Sequence, residues 1–178
     1  MKYIPDRYAP MYREIAETKP RSILEIGTHD GLNALRMLKL TNAAYYGFDL
    51  FEQLDRKTFR REFALQPPSK RQVEKHLRGH NVKLYSGDTR TSRAWDDLPK
   101  MDLIFIDGGH SEETVAFDWK NAQRLMHDNT VVYFDDYPNW GVGPVVDSIK
   151  GFDVSIQPEY DVFGGKPFHL ARVTMSRA

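Results

Sequence analysis

Two apolar runs end in carboxylates that can do chemistry together. Residues 101–107 (MDLIFID) are followed by Gly108-Gly109-His110, and residues 130–136 (TVVYFDD) by Tyr137. Continuous apolar runs of this length suit strands buried on both faces, and neighbouring strands lie roughly 5 Å apart. Asp107, Asp135 and Asp136 can therefore converge on one cation. Three clustered carboxylates repel one another unless something positive sits among them. An all-oxygen set selects a hard ion, Mg²⁺ or Mn²⁺, over Zn²⁺. The competing arrangement has one Asp capping a helix and another pointing into solvent. His110, in the same loop, can act as a general base near neutral pH, position a ligand, or cap the helix that follows.

A second group lies earlier in the chain. Glu25-Ile26-Gly27-Thr28-His29-Asp30-Gly31 joins a strand-like run to a helix-like one. Its glycines permit positive φ and close approach of a ligand, although a tight structural turn would use them equally well. The spacing is neither GxGxxG nor a phosphate loop. An acid two residues before the first glycine is awkward for a diphosphate and suits a cationic ligand. Asp49, about twenty residues on, can accept hydrogen bonds from the two ribose hydroxyls of an adenosine-type cofactor, or cap a turn. Asp88, in Gly87-Asp88-Thr89, can accept an adenine amino group. Asp88 or Thr89 can equally be a helix N-cap.

These residues need a scaffold that gathers strand ends. Further apolar runs at 22–26 (SILEI), 45–49 (YYGFD) and 82–86 (VKLYS) alternate with helical patterns. Residues 32–40 form a short, nearly all-round apolar helix. Residues 111–126 form an amphipathic one, capped by Ser111, with Glu112 and Glu113 at the positive end of its dipole. Strand–helix alternation at this spacing predicts right-handed βαβ units. The tail carries strand-like runs at 152–157 and 169–175 around a loop with Gly164-Gly165 and Pro167, an antiparallel edge hairpin. The expected fold is a Rossmann-like, doubly wound, mostly parallel seven-stranded sheet with that C-terminal hairpin, one domain over residues 1–178. Residues 51–80 are too long for a simple connection. Pro67-Pro68 splits them, 70–78 is a short polar helix, and eight Lys/Arg face three Asp/Glu between Asp55 and Arg78. This insertion is either a solvated helical face, or a lid over the site or a cradle for an anionic substrate group.

Glu25, Gly27, Gly31, Asp49 and Asp88 together resemble the S-adenosylmethionine (SAM) site of class I methyltransferases, along essentially the whole chain. EIGTHDG is similar to the E/D-x-G-x-x-x-G loop of that family. The resemblance implies that Glu25, Gly27, Thr28, His29, Gly31, Asp49, Asp88, Thr89 and Asp107 contact SAM. The stretch FDDYPNWGVGPVVDSIK resembles the metal-dependent macrocin O-methyltransferase type. IDGGHSEETVAFDW resembles the D-G-x-H-x-Y-x-x-V-x-x-D pattern of small bacterial methyltransferases. Carried across, Asp107, Asp135 and Asp136 become Mg²⁺ ligands. The chain lacks the long N-terminal region of those sugar enzymes, and Glu113 replaces their aromatic after Ser.

The 178 residues contain no cysteine, which excludes disulfides, thiolate catalysis and Cys-ligated metals. Lys+Arg and Asp+Glu number 25 each, which argues against wholesale nucleic-acid binding. The first twenty residues lack a secretory apolar stretch and no run approaches a membrane span, so a cytoplasmic location is expected. The expected activity is a SAM-dependent O-methyltransferase, with Mg²⁺ assistance, acting on a hydroxyl of a small polyhydroxylated molecule. His110 or Asp107 would receive the proton. A metal-independent methyltransferase and a non-catalytic SAM-binding protein are the alternatives. A homo-oligomer is compatible with the exposed sheet edge.

Overall fold

The structure, a computed structural model, describes residues 6–62 and 65–176. Five parallel strands form the centre: β1 (Ser22–Ile26), β2 (Ala44–Asp49), β3 (Val82–Ser86), β4 (Leu103–Ile106) and β5 (Val131–Tyr137). Two antiparallel strands, β6 (Phe152–Phe163) and β7 (Lys166–Met175), complete the order β3-β2-β1-β4-β5-β7-β6. The seven-stranded Rossmann-like sheet expected from the sequence is therefore present. The strand order reverses between β1 and β4, and a crevice opens beyond their carboxyl ends.

Period-two alternation explains why the strands are apolar throughout. Ile23, Leu103, Phe105 and Tyr133 join one buried cluster, whereas Leu24, Ile104, Ile106, Val132 and Phe134 join the other. Each face needs helices to cover it. On the first face lie α1 (Ala9–Thr18), α2 (Leu32–Leu40) and α4 (Lys70–His76), which contribute Met11, Ile15, Ala34, Met37 and Val73. On the second lie α5 (Glu112–Leu125) and α6 (Val142–Asp147), with Trp119, Ala122, Val145 and Val146. Ser111 caps α5 as expected, its side chain accepting from the Thr114 N–H.

Three elements differ from the sequence expectation. The hairpin is longer: its strands run up to a tight turn at Gly164-Gly165, where both residues have positive φ. A register shift between Ile156 and Tyr160 absorbs the irregularity around Pro158, which an edge strand tolerates. Helix α1 was not anticipated, although Pro10 in its first turn and the Met11/Ile15 spacing are ordinary helix signals. The insertion contains a further helix, α3 (Arg56–Arg61), capped by Asp55 onto the Thr58 N–H. Its partner α4 starts with a Ser69/Gln72 capping box.

Candidate active site

The carboxyl ends of β1, β2, β4 and β5 open into one cavity of about 650 Å³, within the size range of small-molecule sites. At its first end, the loop after β1 turns under positive φ at Gly27. A Cβ there would lie 1.9 Å from the Asp107 carbonyl oxygen, so only glycine lets the loop pass against the end of β4. Gly27 and His29 line the cavity. Glu25, Thr28 and Gly31 do not. Glu25 is 1% exposed, and its oxygens accept from the Tyr45 hydroxyl and the Asn33 amide beneath the loop. Burial raises its pKa to about 7, against the pull of those hydrogen bonds. Thr28 turns inward to the Tyr45 hydroxyl, and Gly31 starts α2. The acid of the glycine loop thus braces the loop from inside the fold.

Asp49 ends β2 and lines the cavity. Its Oδ2 accepts from the His29 N–H at 2.7 Å and its Oδ1 from the Phe51 N–H at 3.1 Å. A carboxylate offers about four acceptor positions, so acceptor capacity remains for a ligand hydroxyl. Burial raises its pKa despite these backbone donors. Asp88 also lines the cavity, but Arg90 grips it: Nη2 lies 2.6 Å from Oδ2 and Nε 3.0 Å from Oδ1. That pairing holds its pKa below the usual range. No helix begins at Asp88 or Thr89; the next element is a 3₁₀ turn at Ala94–Asp97. Thr89 is buried in the cavity wall, its carbonyl accepting from the Trp95 indole at 2.8 Å.

At the other end, Asp107, Asp135 and Asp136 converge, each offering an oxygen within 4.8 Å of the others. The positive charge between them belongs to the chain itself. Arg7 Nε lies 2.6 Å from Asp135 Oδ1 and Nη2 2.8 Å from Oδ2. His110 Nε2 lies 2.8 Å from Asp136 Oδ2. The Tyr8 hydroxyl lies 2.6 Å from Asp135 Oδ2 and 3.1 Å from Asp107 Oδ2. One phenolic proton cannot serve both carboxylates. Burial, then the charges of Asp135 and Asp136, drive the Asp107 pKa well up. By donor type the three acids suit Mg²⁺. As arranged, both Asp135 oxygens and one oxygen of Asp136 already face donors of this chain, so Mg²⁺ would have to compete with Arg7, Tyr8 and His110 for them.

His110 has no open lone pair. Its Nδ1 contacts the Glu62 carbonyl oxygen, which can only accept, and its Nε2 meets a carboxylate. Burial lowers its pKa, but Asp136 and the Glu62 carbonyl more than offset that and raise it overall. With both ring nitrogens engaged, His110 is placed to orient Asp136. Non-glycine residues with positive φ gather here too: His29, Asp136 and Trp140 all line the cavity.

The insertion supplies one wall through Leu54, Thr58, Arg61, Glu62 and Leu65. Glu62 docks it onto the start of α5, accepting from the Ser111 N–H at 2.8 Å and from the Ser111 and Thr114 hydroxyls at 2.9 Å each. Burial raises its pKa and these donors, with Arg61, lower it overall. The sequence reading missed Arg7, Tyr8, Glu62 and Asp118. Asp118 is fully buried in α5 and lines the cavity, and among the described residues neither oxygen has a hydrogen bond of normal geometry. Burial raises its pKa to about 7, eased by the nearby Thr89 hydroxyl. An acid at this place in the D-G-x-H pattern was the available signal.

Comparison with known proteins agrees with this geometry. The model of a methyltransferase-domain family matches residues 24–137. An O-methyltransferase of Bacillus cereus, solved with SAH, is 14% identical over 98% of this chain and 83% of its own, with a TM-score of 0.67. TomG of Streptomyces achromogenes, an O-methyltransferase solved with SAM, is 15% identical over 94% of this chain and 78% of its own, with a TM-score of 0.64. An rRNA methylase of Streptococcus thermophilus is 13% identical over 99% of both chains, with a TM-score of 0.69. Uncharacterized protein R132 of Acanthamoeba polyphaga mimivirus is 32% identical over 81 residues, which cover 43% of this chain and 37% of that protein. A glycine loop at the end of β1, an acid at the end of β2 and a family match across β1 to β5 lead to one statement: the chain belongs to the methyltransferase-domain family, with the class I SAM-dependent methyltransferase fold.

Proposed function

We propose that this chain transfers a methyl group from SAM to a hydroxyl of a small polyhydroxylated molecule, without a metal ion. The observation that carries the reading is the shared cavity. It joins the Gly27 loop and Asp49 at one end to the Asp107, His110 and Asp136 cluster at the other. The residues present fit SAM: a backbone surface that a Cβ would block at Gly27, open acceptor positions on Asp49, and a buried acceptor without a partner on Asp118. When bound, SAM supplies an electrophilic methyl carbon on a positively charged sulfur.

The rest is done by the chain. Asp49 receives the ribose hydroxyls, while Asp88 and the deeper Asp118 receive the adenine amino group. The acceptor lies at the β4–β5 end, where Trp140 and Phe163 give apolar faces beside carboxylates, a surface suited to the C–H face and hydroxyl rim of a sugar-like ring. Arg7 holds Asp135, and His110 holds Asp136 through Oδ2. Asp136 then takes the hydroxyl proton through its other oxygen, its basicity raised by burial and by Asp135. No covalent enzyme intermediate is needed; the acids orient the oxygen for in-line attack at roughly 3 Å.

The test is methyl-labelled SAM offered with polyols, glycosides, phenols and RNA, with and without EDTA. Transfer to a polyhydroxylated acceptor, unchanged by EDTA, is the expected result. SAM binding without transfer to any acceptor would favour a binding protein, and transfer to RNA alone would overturn the small-molecule reading.

A further inference from the structure

The acidic rim is arranged around an arginine. Arg7 sits on the 3₁₀ turn Asp6–Tyr8 that leads into α1, far in sequence from the strands it serves. Its guanidinium meets Asp135 fork to fork at 2.6 and 2.8 Å, the geometry in which Arg binds a carboxylate most strongly. Nη2 also lies 3.6 Å from Asp136 Oδ1. The group is held from behind. Asp161 on β6 accepts from Nη1 at 3.2 Å and from the backbone N–H groups of Asp6 and Arg7 at 3.2 Å each. The guanidinium carbon lies 4.9 Å from the Tyr8 ring centroid and 5.9 Å from that of Phe168.

Each acid therefore already meets a polar group of the chain: Arg7 and Tyr8 at Asp135, His110 at Asp136, and the shared Tyr8 hydroxyl at Asp107. Mg²⁺ demands oxygens at about 2.0–2.1 Å in near-octahedral array. To use both Asp135 oxygens it would have to displace the guanidinium fork and lie beside that positive charge.

We propose that the Arg7 guanidinium is the resident cation of this rim, filling the role that three converging carboxylates would otherwise give to a divalent metal. Arg7 is a positioning residue: it fixes Asp135 and lays its charge beside Asp136. The proposal deepens the metal-free reading above and rests on it for the role of the cavity. It also makes a structural prediction of its own, that removing the guanidinium turns the rim into a metal site.

The experiment is a Mn²⁺ titration of the full chain followed by electron paramagnetic resonance, in wild type, Arg7→Met, and Arg7→Met combined with Asp136→Asn. Met keeps an apolar stem against the Tyr8 and Phe168 rings and removes the charge. Wild type is expected to show no stoichiometric Mn²⁺ site. Arg7→Met is expected to bind one Mn²⁺ per chain at least about tenfold more tightly, and the double variant to lose that gain. Stoichiometric Mn²⁺ on the wild type overturns the proposal, as does a folded Arg7→Met that binds no better than wild type. Should Arg7→Met not fold, the wild-type titration decides alone. SAH titrated into the same wild-type sample separates the two claims. Absence of SAH binding counts against the methyltransferase reading, and Mn²⁺ binding beside normal SAH binding counts against Arg7 alone.

Discussion

Replacing Asp118 with Asn tests directly whether the cavity wall carries a buried acid without a partner. Burial raises its pKa to about 7, against ~3.9 in an unfolded chain. That gap of ~3 units corresponds to an upper bound of ~4 kcal/mol against the ionised form. The sign follows from proton binding. Below pH ~4 the acid is protonated in both states and the folded chain suffers no penalty. As pH rises towards 7 the unfolded chain releases its proton first, and stability falls. Above 7 the whole penalty is in force. Asn is neutral throughout; its unpaired amide costs ~1–3 kcal/mol at every pH, so the slope is diagnostic and the offset is not. Melting followed by circular dichroism at pH 5 and pH 8 reads it out. With each kcal/mol worth roughly 2–4 °C in a chain of this size, the Asn variant should gain several degrees on wild type between those two pH values. Parallel melting temperatures across that range would refute the reasoning, because they would mean that Asp118 ionises at no cost.

Two further perturbations probe the loop and the insertion. Gly27→Ala places a methyl 1.9 Å from the Asp107 carbonyl oxygen at a φ of 96°, so SAH affinity by calorimetry should fall by at least about tenfold while far-UV circular dichroism still reports the fold. Glu62→Ala removes the acceptor that ties the insertion to the start of α5; amide exchange should speed up in α3 and around Ser111, and equal rates would show that the contact does not hold the wall.

Much of the scaffold was legible because it is written in local pattern. Runs such as LIFI and VVYF are buried on both faces, and parallel strands in a sheet must deliver their carboxyl ends to one side. That geometry alone brings Asp49, Asp107, Asp135 and Asp136 to one cavity. The partners of those acids were not legible, because they depend on contacts across the whole fold. Arg7 is 128 residues from Asp135, Tyr8 is 99 from Asp107, and Glu62 is 49 from Ser111. The electrostatic reasoning that clustered acids need a positive neighbour held. The neighbour came from the N-terminal turn, which no periodicity points at the end of β5. Glu25 shows the converse: it stands at the ligand-binding position of the loop by spacing, yet β1 is buried on both faces there and the acid turns towards Tyr45.

We propose that Asp49 and the Gly27 loop form a nucleoside-binding site for SAM. Isothermal titration of SAH into wild type and Asp49→Ala tests it most directly. Stoichiometric binding to wild type, weakened at least about tenfold in Asp49→Ala by loss of charge-assisted bonds to the ribose, is the predicted result. No binding to wild type, or equal affinity in both proteins, would contradict it.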